Sequence, residues 1–200
     1  MTKILFLPGV GADPNFWRAA GDRLPDSWAK TYIGWPGLGD QPHDPAVQSF
    51  EDMISYAERH MGEGPVDIVS QSMGGAVALR LALRYPGRVR RLVLAVTAGG
   101  LDVAALGATD WRAGYAGEYP NAAPWILGAR PDYTPDLGRI TQPALLLWGD
   151  ADPISPVAVG RRLRDSLPNA ELHVIAGGDH GLAVARADEI APLIHAHLAG

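Results

Sequence analysis

The stretch Val66–Gly75, with the sequence VDIVSQSMGG, decides how this chain folds. Its apolar start at Val66–Val69 predicts a β-strand, and a segment with helical period follows directly after Gly74. The short junction places Ser72 at the tip of a sharp strand-to-helix turn. Small residues two positions before and after it, Ser70 and Gly74, relieve crowding of a strained backbone. The pattern therefore predicts that the Ser72 hydroxyl projects from the end of a strand.

The same alternation of short apolar runs and helical segments extends along the whole chain. The predicted strands are Ile4–Leu7, Lys30–Ile33, Val66–Val69, Arg91–Ala95, Ala144–Trp148 and Glu171–Ile175. The predicted helices are Phe16–Leu24, Phe50–Met61, Gly74–Tyr85, Val157–Leu167 and about Ala187–Leu198. This order is typical of an α/β fold of three layers, with about six parallel strands and helices on both faces of the sheet.

Composition restricts the classes of protein that this chain can belong to. A length of 200 residues with 47% hydrophobic residues predicts a single domain, 1–200, with a sizeable core. The absence of cysteine excludes thiol nucleophiles, zinc–thiolate sites and iron–sulfur clusters. A formal net charge of -5 without a long charged run argues against a nucleic-acid partner.

No segment is long enough to be a membrane span. The later apolar runs are about five residues long, against the roughly 20 that a bilayer requires. The N-terminal run Ile4–Leu7 is ended early by Pro8 and Gly9, unlike a signal sequence. We therefore expect a cytoplasmic protein with no membrane partner.

The connection between the fourth and fifth strands, residues 97–139, is much longer than the others. Such a connection inside one domain is usually functional, and its aromatic residues favour a short lid-like insertion. Its tryptophans, Trp111 and Trp125, are either packing residues or walls of a substrate pocket.

A serine hydroxyl becomes a good nucleophile only when a neighbouring base removes its proton. Asp150 and Asp152 follow the fifth strand, and His180 follows the sixth strand on a glycine-rich loop. Parallel strands end on one edge of a sheet, so these side chains are expected to approach Ser72. Either carboxylate could orient the histidine.

The loop after the first strand, Pro8-Gly9-Val10-Gly11, completes the predicted site. Gly9 allows the backbone to approach a ligand and leaves the Val10 N–H free. Together with the Met73 N–H, at the start of the following helix, it would form an oxyanion hole. Gly9 is therefore also a predicted substrate-binding residue.

The chain resembles the α/β-hydrolase family over nearly its whole length. The motifs that carry the resemblance are Pro8-Gly9-Val10-Gly11, Trp35-Pro36-Gly37-Leu38-Gly39, Ser70-Gln71-Ser72-Met73-Gly74-Gly75, Gly149-Asp150-Ala151-Asp152-Pro153-Ile154 and Gly178-Asp179-His180. The resemblance implies that Ser72 is the nucleophile, His180 the base and Asp152, in preference to Asp150, the acid. It likewise implies Val10 and Met73 as the oxyanion donors.

The resemblance also implies a compact form of the fold. The two strands that usually lead the family's sheet are absent, and the first strand lies between the second and third. Two motifs depart from the family pattern, with Pro8 in place of histidine and Asp40 in place of serine. These changes affect the entrance to the site and the choice of substrate.

The implied function is a cofactor-free serine hydrolase that cleaves a small carboxylic ester, thioester or lactone through an acyl-enzyme. A carbon–carbon bond hydrolase or lyase with the same three residues is an alternative. A ligand-binding module that has lost turnover is a second one. The partner expected in each case is a small molecule.

Two further patterns indicate no cofactor or metal. Gly9-Val10-Gly11 resembles a dinucleotide-binding fingerprint, but Pro14 stands where its third glycine is needed. His195 and His197 are two positions apart, so a helix does not direct them at one ion, and we expect both to face solvent.

Overall fold

Six parallel β-strands form the centre of the molecule, in a computed structural model that describes residues 2–200. The strands are β1 Lys3–Leu7, β2 Ala29–Tyr32, β3 Val66–Gln71, β4 Val89–Ala95, β5 Ala144–Gly149 and β6 Ala170–Ile175. Their order across the sheet is β2-β1-β3-β4-β5-β6, and every neighbouring pair is parallel. The predicted fold class is confirmed, with the first strand between the second and third.

The two central strands explain why the sequence predicts a covered sheet. In β4 the run Leu92–Leu94 is fully buried, and in β5 the run Leu145–Leu147 is at most 3% exposed. Successive side chains of a strand point to opposite faces, so burial of consecutive residues requires helices on both sides. The apolar runs therefore form the core of the sheet.

Helices follow most of the strands. They are α1 Arg18–Gly21, α2 Phe50–Met61, α3 Met73–Arg84, α4 Arg112–Glu118, α5 Trp125–Gly128, α6 Val157–Ser166, α7 Leu182–Ala185 and α8 Ala187–Ala199. Helix α2 has the predicted bounds, and its N-cap Ser49 accepts a hydrogen bond from the Asp52 N–H at 3.2 Å. Among the described residues, no helix is both long and apolar enough to cross a membrane.

The prediction of a helix over Phe16–Leu24 was too long. Only Arg18–Gly21 is α-helical. Before it, the Phe16 N–H donates to Asp13 O, and after it the Leu24 N–H donates to Gly21 O, both bonds spanning three residues. Tight turns at both ends therefore replace helical turns, although the apolar residues still face the core.

The 97–139 segment leaves the sheet after β4 and contains α4, α5 and two short 3₁₀ turns. It is held to the loop that follows β2. The Gly39 N–H donates to the Tyr115 hydroxyl at 2.8 Å, and the Ala123 N–H donates to Gly37 O at 2.7 Å. The segment is therefore fastened across this edge of the sheet; its action as a lid stays a prediction.

The expectation that both C-terminal histidines face solvent was wrong for His197. His195 is exposed and stacks on Trp28, with ring centroids 5.2 Å apart. His197 is half-buried, and its Nε2 has no hydrogen-bond partner in the part of the chain that the structure describes. It lies next to the buried Leu198, on the flank of α8 that approaches Arg91. Burial, followed by the nearby Arg91 charge, lowers the pKa of His197.

Candidate active site

The turn between β3 and α3 holds Ser72 in a strained conformation, with φ 51° and ψ −124°. Its backbone is fixed on both sides, because its N–H donates to Ala95 O at 2.9 Å and its carbonyl accepts from the Thr97 hydroxyl. A Cβ at Gly74 would lie 2.5 Å from Pro8 O, so only glycine lets α3 begin this close to the first loop. The turn therefore presents the Ser72 side chain at the carboxyl edge of the sheet.

Positive φ angles occur at two other non-glycine residues of the described chain. They are Ala12 in the loop after β1, with φ 62°, and Val96 directly after β4, with φ 43°. Such angles are unfavourable for residues with a side chain, most of all for a β-branched valine. Backbone strain is thus concentrated at the same edge as Ser72, where functional sites commonly store it.

Ser70 occupies the position two residues before Ser72, where the turn requires a small residue. It is fully buried, and its hydroxyl donates to Val93 O of the neighbouring β4 at 3.0 Å. The hydrogen bond satisfies the buried hydroxyl, so serine fits this position without an unpaired polar group.

A continuous chain of hydrogen bonds joins Ser72, His180 and Asp152. Ser72 Oγ lies 2.9 Å from His180 Nε2, and His180 Nδ1 lies 2.7 Å from Asp152 Oδ2. The histidine side chain is 23% exposed, whereas the aspartate side chain is completely buried. The three side chains, predicted from three separate loops, therefore meet in one place.

The two candidate carboxylates occupy different positions. Asp152 Oδ1 accepts hydrogen bonds from the backbone N–H groups of Ile154 at 2.8 Å and Ser155 at 3.2 Å, which leaves Oδ2 for the histidine. Asp150 is exposed and accepts from the Gly177 N–H at 2.6 Å. Asp150 therefore joins the loops after β5 and β6, while Asp152 contacts His180.

The first loop lies beside Ser72. A Cβ placed on Gly9 would be 3.1 Å from Ser72 Cβ. Within residues 2–200, neither the Val10 N–H nor the Met73 N–H donates a hydrogen bond to the protein. Both groups therefore remain available to an acceptor outside the protein.

A cavity of about 520 Å³ borders Ser72 and His180. Its apolar lining includes Phe50, Val96, Leu101, Trp111 and Ile126. Of the three predicted substrate-binding residues, Trp111 lines the cavity, whereas Gly9 and the half-buried Trp125 do not. The volume lies within the range of small-molecule sites.

The lining also includes exposed charged residues of the 97–139 segment, namely Asp102, Asp110, Arg130 and Asp132. Arg112, which is largely buried, binds Asp110 at 2.9 Å and donates to Leu127 O and Ala129 O. The hydrogen bond from Arg112 lowers the pKa of Asp110, which favours its charged form. Arg112 thereby fixes α4 against the end of α5.

Two residues near the site carry no recognisable sequence signal. Thr97 donates to the carbonyl of Ser72, and Gln71 donates from Nε2 to the His180 carbonyl at 3.1 Å. Their contacts join segments distant in sequence, so single-sequence patterns do not predict them. Among the described residues, no group of three potential metal ligands is present.

Comparison with known proteins agrees with this architecture. A family model described as alpha/beta hydrolase fold matches residues 3–123. A poly(3-hydroxyalkanoate) depolymerase of Ectopseudomonas oleovorans is 27% identical, with 97% of this chain and 83% of the relative aligned. A pimeloyl-[acyl-carrier protein] methyl ester esterase of Neisseria meningitidis is 32% identical over 82% of this chain but only 59% of its own length.

Solved structures show the same fold. A thermophilic esterase from Thermogutta terrifontis superimposes with a TM-score of 0.79, covering 100% of this chain and 90% of the esterase. The two sequences are 22% identical. The likeness extends over the whole sheet and the helices around it.

Proposed function

Because this chain belongs to the α/β-hydrolase family and is an esterase-like hydrolase, we propose that it cleaves a small carboxylic ester through an acyl-enzyme on Ser72. The observation that carries the proposal is the hydrogen-bond chain from Ser72 through His180 to Asp152. A hydroxyl, an imidazole and a buried carboxylate in this order are the parts that nucleophilic acyl transfer requires.

In the first half of the proposed reaction, Ser72 Oγ attacks the ester carbonyl while its proton passes to His180 Nε2, 2.9 Å away. The imidazolium that forms donates a hydrogen bond from its Nδ1–H to Asp152 Oδ2, and the negative charge of this carboxylate stabilises it. Negative charge develops on the former carbonyl oxygen. The free N–H groups of Val10 and Met73 are the proposed donors to this oxyanion.

The intermediate then collapses. The bond to the alcohol oxygen breaks, the alcohol takes the proton from His180 Nε2, and the acyl group remains on Ser72. Water enters, gives one proton to His180 and adds to the acyl carbonyl. Release of the acid returns the proton to Ser72, so one ester and one water yield one acid and one alcohol.

The cavity next to Ser72 is the proposed site of the acyl group. Much of its lining is apolar, with Val96, Leu101 and Ile126 among the lining residues. Apolar walls favour an acyl chain by removing its surface from water. The charged lining residues of the 97–139 segment are exposed, so a polar end of the substrate beside them would remain in contact with solvent.

Labelling with a fluorophosphonate, followed by intact-mass measurement, tests the proposal. The wild type is expected to gain one adduct, whereas Ser72→Ala gains none. Ser166→Ala is the matched control. Ser166 is half-buried, and within residues 2–200 its hydroxyl bonds to Arg162 O and not to the site, so this variant should be labelled like the wild type. A folded wild type that remains unlabelled, or a labelled Ser72→Ala variant, would contradict the proposal.

Substrate assays separate the alternatives that share the fold. Turnover of p-nitrophenyl esters without cleavage of vinylogous 1,5-diketones supports the ester reaction. Faster cleavage of the diketones would assign the site to carbon–carbon bond hydrolysis. Stoichiometric retention of ligand with no product would identify a binding module.

A further inference from the structure

Gln71, the residue immediately before Ser72, connects two of the loops that meet at the site. It ends β3 and is only 4% exposed. Because side chains alternate along a strand, Gln71 points to the opposite face from Ser70, which bonds to β4. The Gln71 amide is thereby directed toward the loops that carry His180 and Gly9.

On one side, Gln71 holds the backbone of His180. Its Nε2 donates to the His180 carbonyl at 3.1 Å. No backbone N–H within residues 2–200 donates to this carbonyl. The loop around it is rich in glycine and largely exposed, so the contact from the buried Gln71 fixes a point that would otherwise have few restraints.

On the other side, the Gln71 amide lies against the first loop. A Cβ on Gly9 would collide with Gln71 Oε1 and lie 3.2 Å from its Cδ. The backbone of Gly9 has no positive φ, so a side chain added here would meet the Gln71 amide and not an unfavourable backbone angle. The Gln71 amide therefore fills the space between the loop of Val10 and the loop of His180.

We infer that Gln71 is a positioning residue, which sets His180 at hydrogen-bonding distance from Ser72 and spaces the Val10 loop from it. The inference rests on the proposed acyl-enzyme function. Proton transfer at the Ser72–His180 contact of 2.9 Å depends on alignment, and a shift of about 1 Å can cost about 100-fold in rate. Loss of the amide should therefore slow the chemical step and leave substrate binding nearly unchanged, since Gln71 does not line the cavity.

Gln71→Met tests the first contact, because methionine keeps the length of the side chain but cannot donate a hydrogen bond. We expect kcat per active site to fall by about 10-fold to 100-fold, with KM little changed. Active sites are counted by complete fluorophosphonate labelling, so that unfolded or inactive molecules do not enter kcat.

Gln142→Met is the matched control. Gln142 is also buried, at 7% exposure, and its amide also donates to backbone carbonyls, those of Ala82 and Pro86. It is not among the residues that contact Ser72, His180 or the cavity. This variant can lose stability, but its kcat per labelled site should equal that of the wild type. An equal kcat for Gln71→Met would overturn the inference.

A double variant tests the second contact. Gly9→Ala alone should displace the Gln71 amide and reduce kcat. Added to Gln71→Ala, it should reduce kcat by a smaller factor than it does alone, because the colliding amide is gone and only the 3.1 Å approach to Ser72 Cβ remains. Losses that multiply would show that the two residues act independently and would overturn the spacing role. If the wild type itself is not labelled, the proposed function fails, and that result is distinct from either outcome here.

Discussion

Replacing Asp152 by asparagine should abolish most of the activity and leave the fold intact. Two backbone N–H groups, of Ile154 and Ser155, point at Asp152 Oδ1. An asparagine at this position must place its oxygen there, because its NH₂ group cannot accept those hydrogen bonds. The NH₂ group then takes the place of Asp152 Oδ2, which lies 2.7 Å from His180 Nδ1, and faces that nitrogen.

The size of the loss follows from the protonation of the imidazole. An NH₂ donor at Nδ1 requires the tautomer that carries its proton on Nε2, so His180 cannot take the proton of Ser72. Loss of the correct tautomer costs about 10⁴-fold in kcat, which corresponds to about 5 kcal/mol of transition-state stabilisation. Both backbone hydrogen bonds remain, so the melting temperature should change little.

The assay is kcat and KM for p-nitrophenyl butyrate, with thermal unfolding followed by circular dichroism. Asp150→Asn is the control, because within residues 2–200 the Asp150 side chain accepts only from the Gly177 N–H, and an amide oxygen can replace that bond. A loss in Asp150→Asn larger than in Asp152→Asn would refute the reasoning. So would an Asp152→Asn variant that retains a tenth or more of the wild-type kcat.

Two predictions concern stability. Because burial lowers the pKa of His197, the unfolded chain binds more protons than the folded one as pH falls below about 6.5, and stability decreases. Urea unfolding between about pH 7.5 and 5.5 should show a smaller decrease for His197→Gln, and an equally steep one would contradict this account. A Cβ on Gly149 would overlap Gly178 O, so Gly149→Ala should lower both the melting temperature and kcat, whereas Gly87→Ala, with open space around it, should change neither. Equal melting temperatures for the two variants would disprove the predicted overlap.

The sheet could be predicted from the sequence because its signal is local. The runs Leu92–Leu94 and Leu145–Leu147 are apolar without interruption, which is typical of strands that are covered on both faces of the sheet. Once the strands are parallel, their carboxyl ends share one edge. The approach of Asp152 and His180 to Ser72 then follows from topology.

Other features depend on contacts that no local pattern contains. The direction of the Gln71 amide is set by strand alternation, but its partners, His180 and Gly9, lie on two distant segments. Similarly, His197 is half-buried because of where α8 packs against the sheet, which the spacing of two histidines does not reveal. Trp111 and Trp125 have equal aromatic character, yet only the fold places Trp111 at the cavity.

The strained angles of Ala12, Ser72 and Val96 also affect how this molecule could be made more heat-resistant. Each such angle costs on the order of 1–3 kcal/mol, and proteins have in total roughly 5–15 kcal/mol of stability. Backbone strain at one edge of the sheet therefore offsets part of the free energy of folding that packing contributes. A laboratory selection for heat resistance alone would favour relaxing these positions, and the activity that depends on the strained, half-buried Ser72 would be lost with them.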